Sequence, residues 1–117
     1  MNQRPTPAGS SRIVALDYEI AQEQASALGR IGRALETALA ALVEYDSVHR
    51  DEGVERESDA TRARLLQAAG DALWCFIVQR EACGLRDPRP VIREYRVPAE
   101  VQNRMGIFAG RRRASST

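Results

Sequence analysis

Residues 28–45, LGRIGRALETALAALVEY, contain the apolar pattern that decides the fold. The apolar positions alternate steps of three and four residues: Leu28, Ile31, Leu35, Ala38, Leu42 and Tyr45. Side chains at this spacing fall on one face of an α-helix. The stretch therefore predicts a long amphipathic helix that begins at Ile13 or Asp17 and ends at Val48.

A second amphipathic helix is predicted to end at Cys83. Ser58 and Asp59 can each cap its N-terminus with a side-chain oxygen. At its other end, Gly84 followed by Leu85 has the pattern of a Schellman stop, with glycine in the left-handed conformation.

This second helix has two apolar strips. Its main stripe consists of Leu65, Leu66, Ala69, Leu73, Phe76 and Ile77. Trp74 and Val78 fall on a separate, narrower strip. A helix with two apolar strips needs two neighbours to bury them.

The connection between the two helices predicts an antiparallel hairpin. Residues 49–59, HRDEGVERESD, contain one apolar side chain and five acids, so they are expected to be solvated. With this loop as the pivot, residue x of the first helix lies near residue 106 minus x of the second. Phe76 is then expected to meet Leu28 and Ile31.

The pattern changes after Gly84. Residues 86–90, RDPRP, disfavour a helix, and residues 91–97, VIREYRV, alternate in a way that predicts an extended segment or a short edge strand. Pro98 is expected to begin a short helix that ends at Met105, followed by Gly106.

The predicted fold is therefore all-α: a long antiparallel helical hairpin with an extended C-terminal segment and a short third helix. A two-helix hairpin has little interior, so a homodimer with a four-helix core is expected. The predicted divisions are a disordered leader over residues 1–12, one helical domain over 13–110 and a basic disordered tail over 111–117.

Composition narrows the functional classes. The formal net charge of +1 provides no overall field to attract nucleic acid, and all 17 basic residues are arginine. Residues 13–59 carry eleven acidic and four basic side chains, whereas residues 86–117 carry three acidic and eight basic ones, so these regions could attract each other within or between chains. Residues 1–12 lack the apolar core of a signal peptide, and the longest apolar run, residues 72–78, is too short for a membrane span. A cytoplasmic location is predicted.

Two glycines inside the first helix point to an interface. Gly29 and Gly32 each cost about 1 kcal/mol relative to alanine in a helix interior. Close approach of another helix explains such a cost, and a kink is the alternative. Together with Trp74 and Val78, these glycines form the candidate interface.

Arg80 is the main candidate for a buried polar or ligand-binding site, because it lies at the centre of the second helix's apolar stripe. A guanidinium there is costly to bury without partners. Gln24, Asp17 or backbone carbonyl groups can supply those partners, which is the structural interpretation. The functional alternative is an anchor for an anionic ligand, with Glu81 and Tyr95 nearby.

The remaining reactive side chains do not form a site. His49 is the only histidine and lies among solvated carboxylates at a helix end, so no metal site is predicted. Cys75 and Cys83 are interpreted as small buried apolar residues, and nothing near them lowers a thiol pKa. No cofactor and no catalytic residue is predicted, although an enzymatic role is not excluded.

Three stretches carry a family resemblance: residues 73–87 (LWCFIVQREACGLRD), residues 95–101 (YRVPAEV) and residues 104–106 (RMG). In these three stretches the chain resembles an uncharacterised bacterial family of small helical proteins. The resemblance implies a bacterial origin and no known activity, cofactor or functional residue.

The leading functional hypothesis is a non-enzymatic, dimeric helical interaction or regulatory module, with a further protein partner possible and no membrane. One alternative is a nucleic-acid-associated protein that uses Arg93, Arg96, Arg104 and residues 111–113, although nucleic acid is disfavoured by the net charge. The other alternative is a binder of a small anionic ligand, or an enzyme, centred on Arg80.

Overall fold

The computed structural model describes residues 8–50 and 59–105, with side chains from residue 11 onward. Four helices follow one another along the chain: α1 (Ala8–Val48), α2 (Ala60–Ala82), α3 (Arg89–Glu94) and α4 (Ala99–Arg104). No strand occurs within these described ranges. The predicted all-α class is confirmed.

Local chemistry sets both ends of α2. The Asp59 carboxylate accepts hydrogen bonds from two backbone N–H groups of the first turn, at 3.0 and 3.2 Å. At the other end Gly84 has a φ of 90°, and the N–H of Leu85 donates to the carbonyl oxygen of Arg80 at 2.8 Å. These bonds confirm the predicted N-cap and the Schellman stop.

Helices α1 and α2 pack as an antiparallel hairpin around the core. The buried apolar side chains are Leu35, Leu39, Leu42, Leu66, Ala69, Leu73, Phe76, Ile77, Val91, Val97 and Val101. The ring of Phe76 lies against Gly32, one residue from its predicted partner Ile31. The predicted register places residue 30 opposite Phe76, so it differs from the structure by about two residues at this point.

The prediction of an extended segment over residues 91–97 is wrong. Most of these residues belong to α3 and to the turn after it. Pro90 lies in the first turn of α3, where a missing N–H costs no helical hydrogen bond. Val91 and Val97 are both buried, and the turn between them includes Arg96 with a φ of 51°.

The short last helix is present as α4, and it packs on α2. Pro98 is its N-cap and Met105 its C-cap, close to the predicted bounds. Val101 on α4 is fully buried. The segment after α2 therefore covers the hairpin core with two short helices.

Helix α1 begins at Ala8, earlier than the predicted start at Ile13 or Asp17. From residue 11 onward its first side chains do not pack against other helices, so burial gives no signal of where the helix starts. Its 41 residues span about 62 Å at 1.5 Å per residue, whereas the 23 residues of α2 span about 35 Å. All side chains of residues 11–26 are exposed. We call residues 8–26 the arm.

Several predictions lie wholly or partly outside the described residues: residues 1–7 of the leader predicted over residues 1–12, most of the acidic connection, Gly106 and the basic tail. The domain boundaries stay predictions. Within the described ranges, no helix has an apolar stretch long enough to span a lipid bilayer.

Candidate functional site

Among the described residues, the most buried charged side chain is that of Arg62, which is 4% exposed in the first turns of α2. Its guanidinium donates to both carboxylate oxygens of Asp46 on α1, at 2.7 and 2.9 Å. It also donates to both carboxylate oxygens of Glu100 on α4, at 2.7 and 3.0 Å. One guanidinium thus joins three helices.

Electrostatics at this cluster favour the charged form of Arg62. The hydrogen bonds that the guanidinium donates, to Asp46 first and Glu100 second, raise its pKa above the ordinary value, against the opposing effect of burial. Paired, charge-assisted hydrogen bonds of this kind fix geometry strongly. We interpret the cluster as a clamp that holds α4 against the hairpin, since the guanidinium is already occupied by protein carboxylates.

Sequence reasoning missed Arg62, although a signal was present. Arg62 and Arg80 are eighteen residues apart, which is five turns of an α-helix, so both lie on the same line along α2. Only Arg80 was singled out at the centre of that stripe. Asp46 lies two residues from the position that the hairpin register places opposite Arg62.

Arg80 is half-buried near the C-terminal end of α2. It donates from Nη2 to the backbone carbonyl of Asp87 at 3.3 Å, and its guanidinium carbon lies 5.9 Å from the ring centre of Phe76. Its buried Nε has no hydrogen-bond partner among the described residues. Gln24 and Asp17 are exposed on the arm, and none of the described contacts joins either of them to Arg80.

A backbone carbonyl is therefore the partner of Arg80 that the structure supplies, as the structural interpretation allowed. The exposed Arg89 side chain binds the Asp87 carboxylate beside it, at 2.9 Å between Nη2 and Oδ2. This hydrogen bond lowers the pKa of the Asp87 carboxyl to about 2. The corner between α2 and α3 is therefore charged and solvent-exposed.

The structure separates the two glycines of the candidate interface. Gly32 is buried, and a Cβ there would lie 2.9 Å from the hydroxyl of Tyr95 in the same chain. Gly29 meets only the Arg33 side chain, at an ordinary 3.5 Å. The surface of Gly32 is thus used within the chain, whereas Gly29 makes no close helix contact in the described part.

Tyr95 packs edge-on against Phe76, with 5.4 Å between ring centres. Burial first, and then the carboxylates of Glu36 and Glu94, raise the pKa of the Tyr95 hydroxyl, while Arg80 opposes them. The hydroxyl is therefore neutral at physiological pH and fills the space above Gly32.

A glycine that the sequence interpretation overlooked carries the contact with α4. A Cβ on Gly70 would lie 2.8 Å from the Cβ of Arg104. Arg104 is half-buried there, whereas Arg93 and Arg96 are exposed. The arginines of the nucleic-acid alternative therefore include one that packs against α2.

The remaining reactive residues are placed apart. His49 stacks on Tyr45 at the end of α1, with 4.0 Å between ring centres, and its Nδ1 lies 2.9 Å from the Tyr45 carbonyl oxygen. Cys75 is exposed, so its interpretation as a buried residue is wrong, and Cys83 is half-buried. Among the described residues, no three His, Cys, Asp or Glu side chains are grouped as metal ligands.

Most of the large apolar side chains that are exposed in the described ranges lie on two surfaces. The larger is on the arm, with Ile13, Val14, Leu16, Tyr18 and Ile20. The smaller is on α2, where Trp74 and Val78 are 43% and 44% exposed. These surfaces, rather than a cleft with convergent polar groups, are the candidate functional sites.

The fold and its surfaces define a class: small all-α proteins built on a helical hairpin. Within that class, the chain belongs to DUF6665, a family of unknown function whose model matches residues 3–113. This match confirms the resemblance to a family of unknown function. No curated protein and no solved structure matches the chain.

Proposed function

We propose that the protein is a non-enzymatic helical interaction or regulatory module that works as a homodimer and binds through the arm. One observation carries the proposal: the five large apolar side chains of the arm, from Ile13 to Ile20, are 49–69% exposed. Three of them, Ile13, Leu16 and Ile20, lie on one face of the helix, and monomeric soluble proteins rarely leave large contiguous apolar patches uncovered. A partner chain is therefore expected to cover this surface.

The stability of the arm helix supports the same proposal. In proteins, most helical stability comes from packing of an apolar face rather than from intrinsic propensity. The side chains of residues 11–26 are all exposed, so packing within the described chain contributes little to the arm. Association with another helix supplies the missing contacts.

The charge of the arm favours a protein partner. Residues 11–26 contain Arg12 and three acids, Asp17, Glu19 and Glu23. A net negative helix is repelled by nucleic acid and by anionic lipid surfaces. We therefore expect the arm to bind a protein helix.

The strip on α2 is the competing dimer surface, because a four-helix bundle would bury Trp74 and Val78. It offers two large apolar side chains, less than half exposed, on a helix that is already packed on its main face. The arm offers three on one face, Ile13, Leu16 and Ile20, on a helix without such packing; Val14 and Tyr18 lie on its other side. We therefore place the dimer contact on the arm.

Analytical ultracentrifugation of three proteins tests this proposal. The wild type is expected to be a dimer in the micromolar range. Ile20→Glu is expected to weaken association at least about tenfold, because a buried charge and a lost apolar contact together exceed 1.4 kcal/mol. Val78→Glu, a matched change on the α2 strip, is expected to behave as the wild type.

Two outcomes would contradict the proposal. If the wild type stays monomeric throughout the micromolar range, the proposed homodimer is contradicted. If Val78→Glu dissociates the dimer and Ile20→Glu does not, the dimer contact lies on α2 and not on the arm. Circular dichroism of each variant checks that the helices remain folded.

A further inference from the structure

We propose that the two copies pair antiparallel through their arms, about a two-fold axis that passes between Leu16 and Asp17. This inference rests on the proposed function, because it assigns an orientation and a register to the same homodimer. The second copy is thus the occupant of the exposed arm surface. Three features of the described chain support it: the helical face, the end of α2, and the charges beside the face.

The exposed apolar side chains continue the face that already packs within the chain. Ile13, Leu16 and Ile20 are spaced by three and four residues, so they lie within about 60° of one another around the helix. Ile13 and Ile20 precede Ile31 and Ala38 by eighteen residues, which is five helical turns. Because Ile31 and Ala38 pack against the core, the arm contact extends the α1–α2 interface along one line.

The end of α2 limits where a second helix can lie on this line. Phe76 lies against Gly32, and Ala82 ends α2 six residues later, opposite about residue 26 of α1 in an antiparallel pair. The face before that point is left for another helix. An arm of the second copy that runs antiparallel over residues 8–25 fits this space without meeting α2.

A parallel pair does not fit as well. It would bring both hairpins to the same end of the arm pair, where each α2 already occupies the apolar face of its own α1. The two copies of α2 would then crowd each other at that end. The antiparallel pair places the two hairpins at opposite ends.

The proposed axis also pairs apolar side chains of the two copies and determines which charged side chains lie beside them. Ile13 of one copy lies opposite Ile20 of the other, and Leu16 lies beside its own counterpart. Arg12, Glu19 and Glu23 lie on one flank of the apolar face, within about 40° of one another. In this register, Arg12 of each copy faces the gap between Glu19 and Glu23 of the other, so unlike charges lie along this flank. On the other flank, Asp17 is about 40° from Ile13 and lies beside its own counterpart near the axis.

Disulfide cross-linking of the full chain tests the axis. Cys75→Ser and Cys83→Ser together provide a background without native thiols. On that background, Leu16→Cys is expected to form a covalent dimer under mild oxidation, since the two cysteines meet at the axis. Ala15→Cys is the matched control, because it lies at the same height on another face and is expected to stay monomeric on a denaturing gel.

A second pair of variants fixes the orientation. In the proposed register, Ile13 is about 10 Å along the axis from its own counterpart, beyond the roughly 4.4–6.8 Å Cα separation of a disulfide. Ile13→Cys alone and Ile20→Cys alone are therefore expected not to cross-link, whereas an equimolar mixture of the two is expected to give a mixed covalent dimer.

Sedimentation of the same variants under reducing conditions separates the two proposals. If a non-covalent dimer forms and Ile13→Cys cross-links with itself, the arms pair in parallel. This result overturns the antiparallel inference but leaves the proposed homodimer standing. A non-covalent dimer in which Leu16→Cys does not cross-link, or does so no better than Ala15→Cys, overturns the assigned axis. The absence of any dimer contradicts the proposed function as well.

Discussion

Arg62 shows how a single residue determines the position of a whole element. It is 4% exposed and donates to carboxylates on α1 and α4, while its own backbone belongs to α2. A buried ion cluster adds little net stability when compared with a well-packed apolar alternative, because desolvation offsets the attraction. Removing one partner from such a cluster is costly, since charge is then left under-compensated in the interior.

Asp46→Ala is therefore expected to destabilise the fold, by about 2 kcal/mol. Glu100 remains bound to the guanidinium, so the loss is smaller than for a fully orphaned charge. Glu44→Ala is the matched control, because Glu44 is exposed near the same end of α1 and its removal should cost less than about 0.5 kcal/mol. Urea denaturation at one protein concentration measures both losses, and equal losses would contradict the role assigned to the Arg62 cluster.

At the residue scale, prediction succeeded where the two long helices of the hairpin meet and failed where α4 docks on them. The close approach expected at Gly32 is present, since Phe76 lies opposite it in the hairpin register. The partner of Arg62 on α4 was not predictable, because nothing in the sequence placed Glu100 beside the start of α2. The contact at Gly70 depends on that same docking of α4.

At the scale of elements, the ends of α2 were predictable because they depend on side chains adjacent in sequence. Asp59 caps the first turn, and Gly84 provides the left-handed residue after the last. Helix α3 was not predictable by the same reasoning. The prolines of residues 86–90 disfavour a helix in its interior, but Pro90 lies in the first turn of α3, where proline is compatible with a helix, and Val91 is buried on that helix.

The Asp59 cap is expected to make the stability of α2 depend on pH. A hydrogen bond from the Tyr45 hydroxyl first, and then one from the backbone of Arg62, lower the pKa of the Asp59 carboxyl below its usual value. A carboxyl whose pKa is lowered by folding stabilises the native state above its unfolded pKa of about 4. That contribution is lost as the pH falls below 4 and through the folded pKa.

Comparing Asp59→Asn with Asp59→Ala separates the effect of the carboxylate charge on stability from the effect of the helix cap. Asparagine also caps helices well, so Asp59→Asn should be close to the wild type at acidic pH and less stable than it at neutral pH. Asp59→Ala should be the least stable of the three at neutral pH, with a gap to the wild type that narrows in acid. Thermal unfolding across the acidic range measures these differences, and a gap that is constant with pH would exclude the carboxylate as its source.

At the scale of the whole molecule, the unequal lengths of α1 and α2 matter most. The predicted register already placed Arg80 opposite residue 26, so an α2 that ends soon afterwards leaves the first part of α1 uncovered. The sequence interpretation instead began α1 later and assumed a bundle in which the helices lie side by side. A start at Ile13 and an end at Cys83 already imply an overhang of about ten residues in that register, and the start at Ala8 lengthens it.

Small-angle X-ray scattering distinguishes the two dimers that these lengths allow. A side-by-side bundle is about as long as α1 itself, about 62 Å, whereas an antiparallel pair that overlaps only over the arms extends its helices to about 95 Å. Ile20→Glu provides the monomer reference, because it has the same segments outside the helices. The wild-type dimer is therefore expected to exceed that monomer in maximum dimension by about 30 Å. A dimer no longer than its monomer would mean that the hairpins pack along their sides, with the α2 strip at the contact.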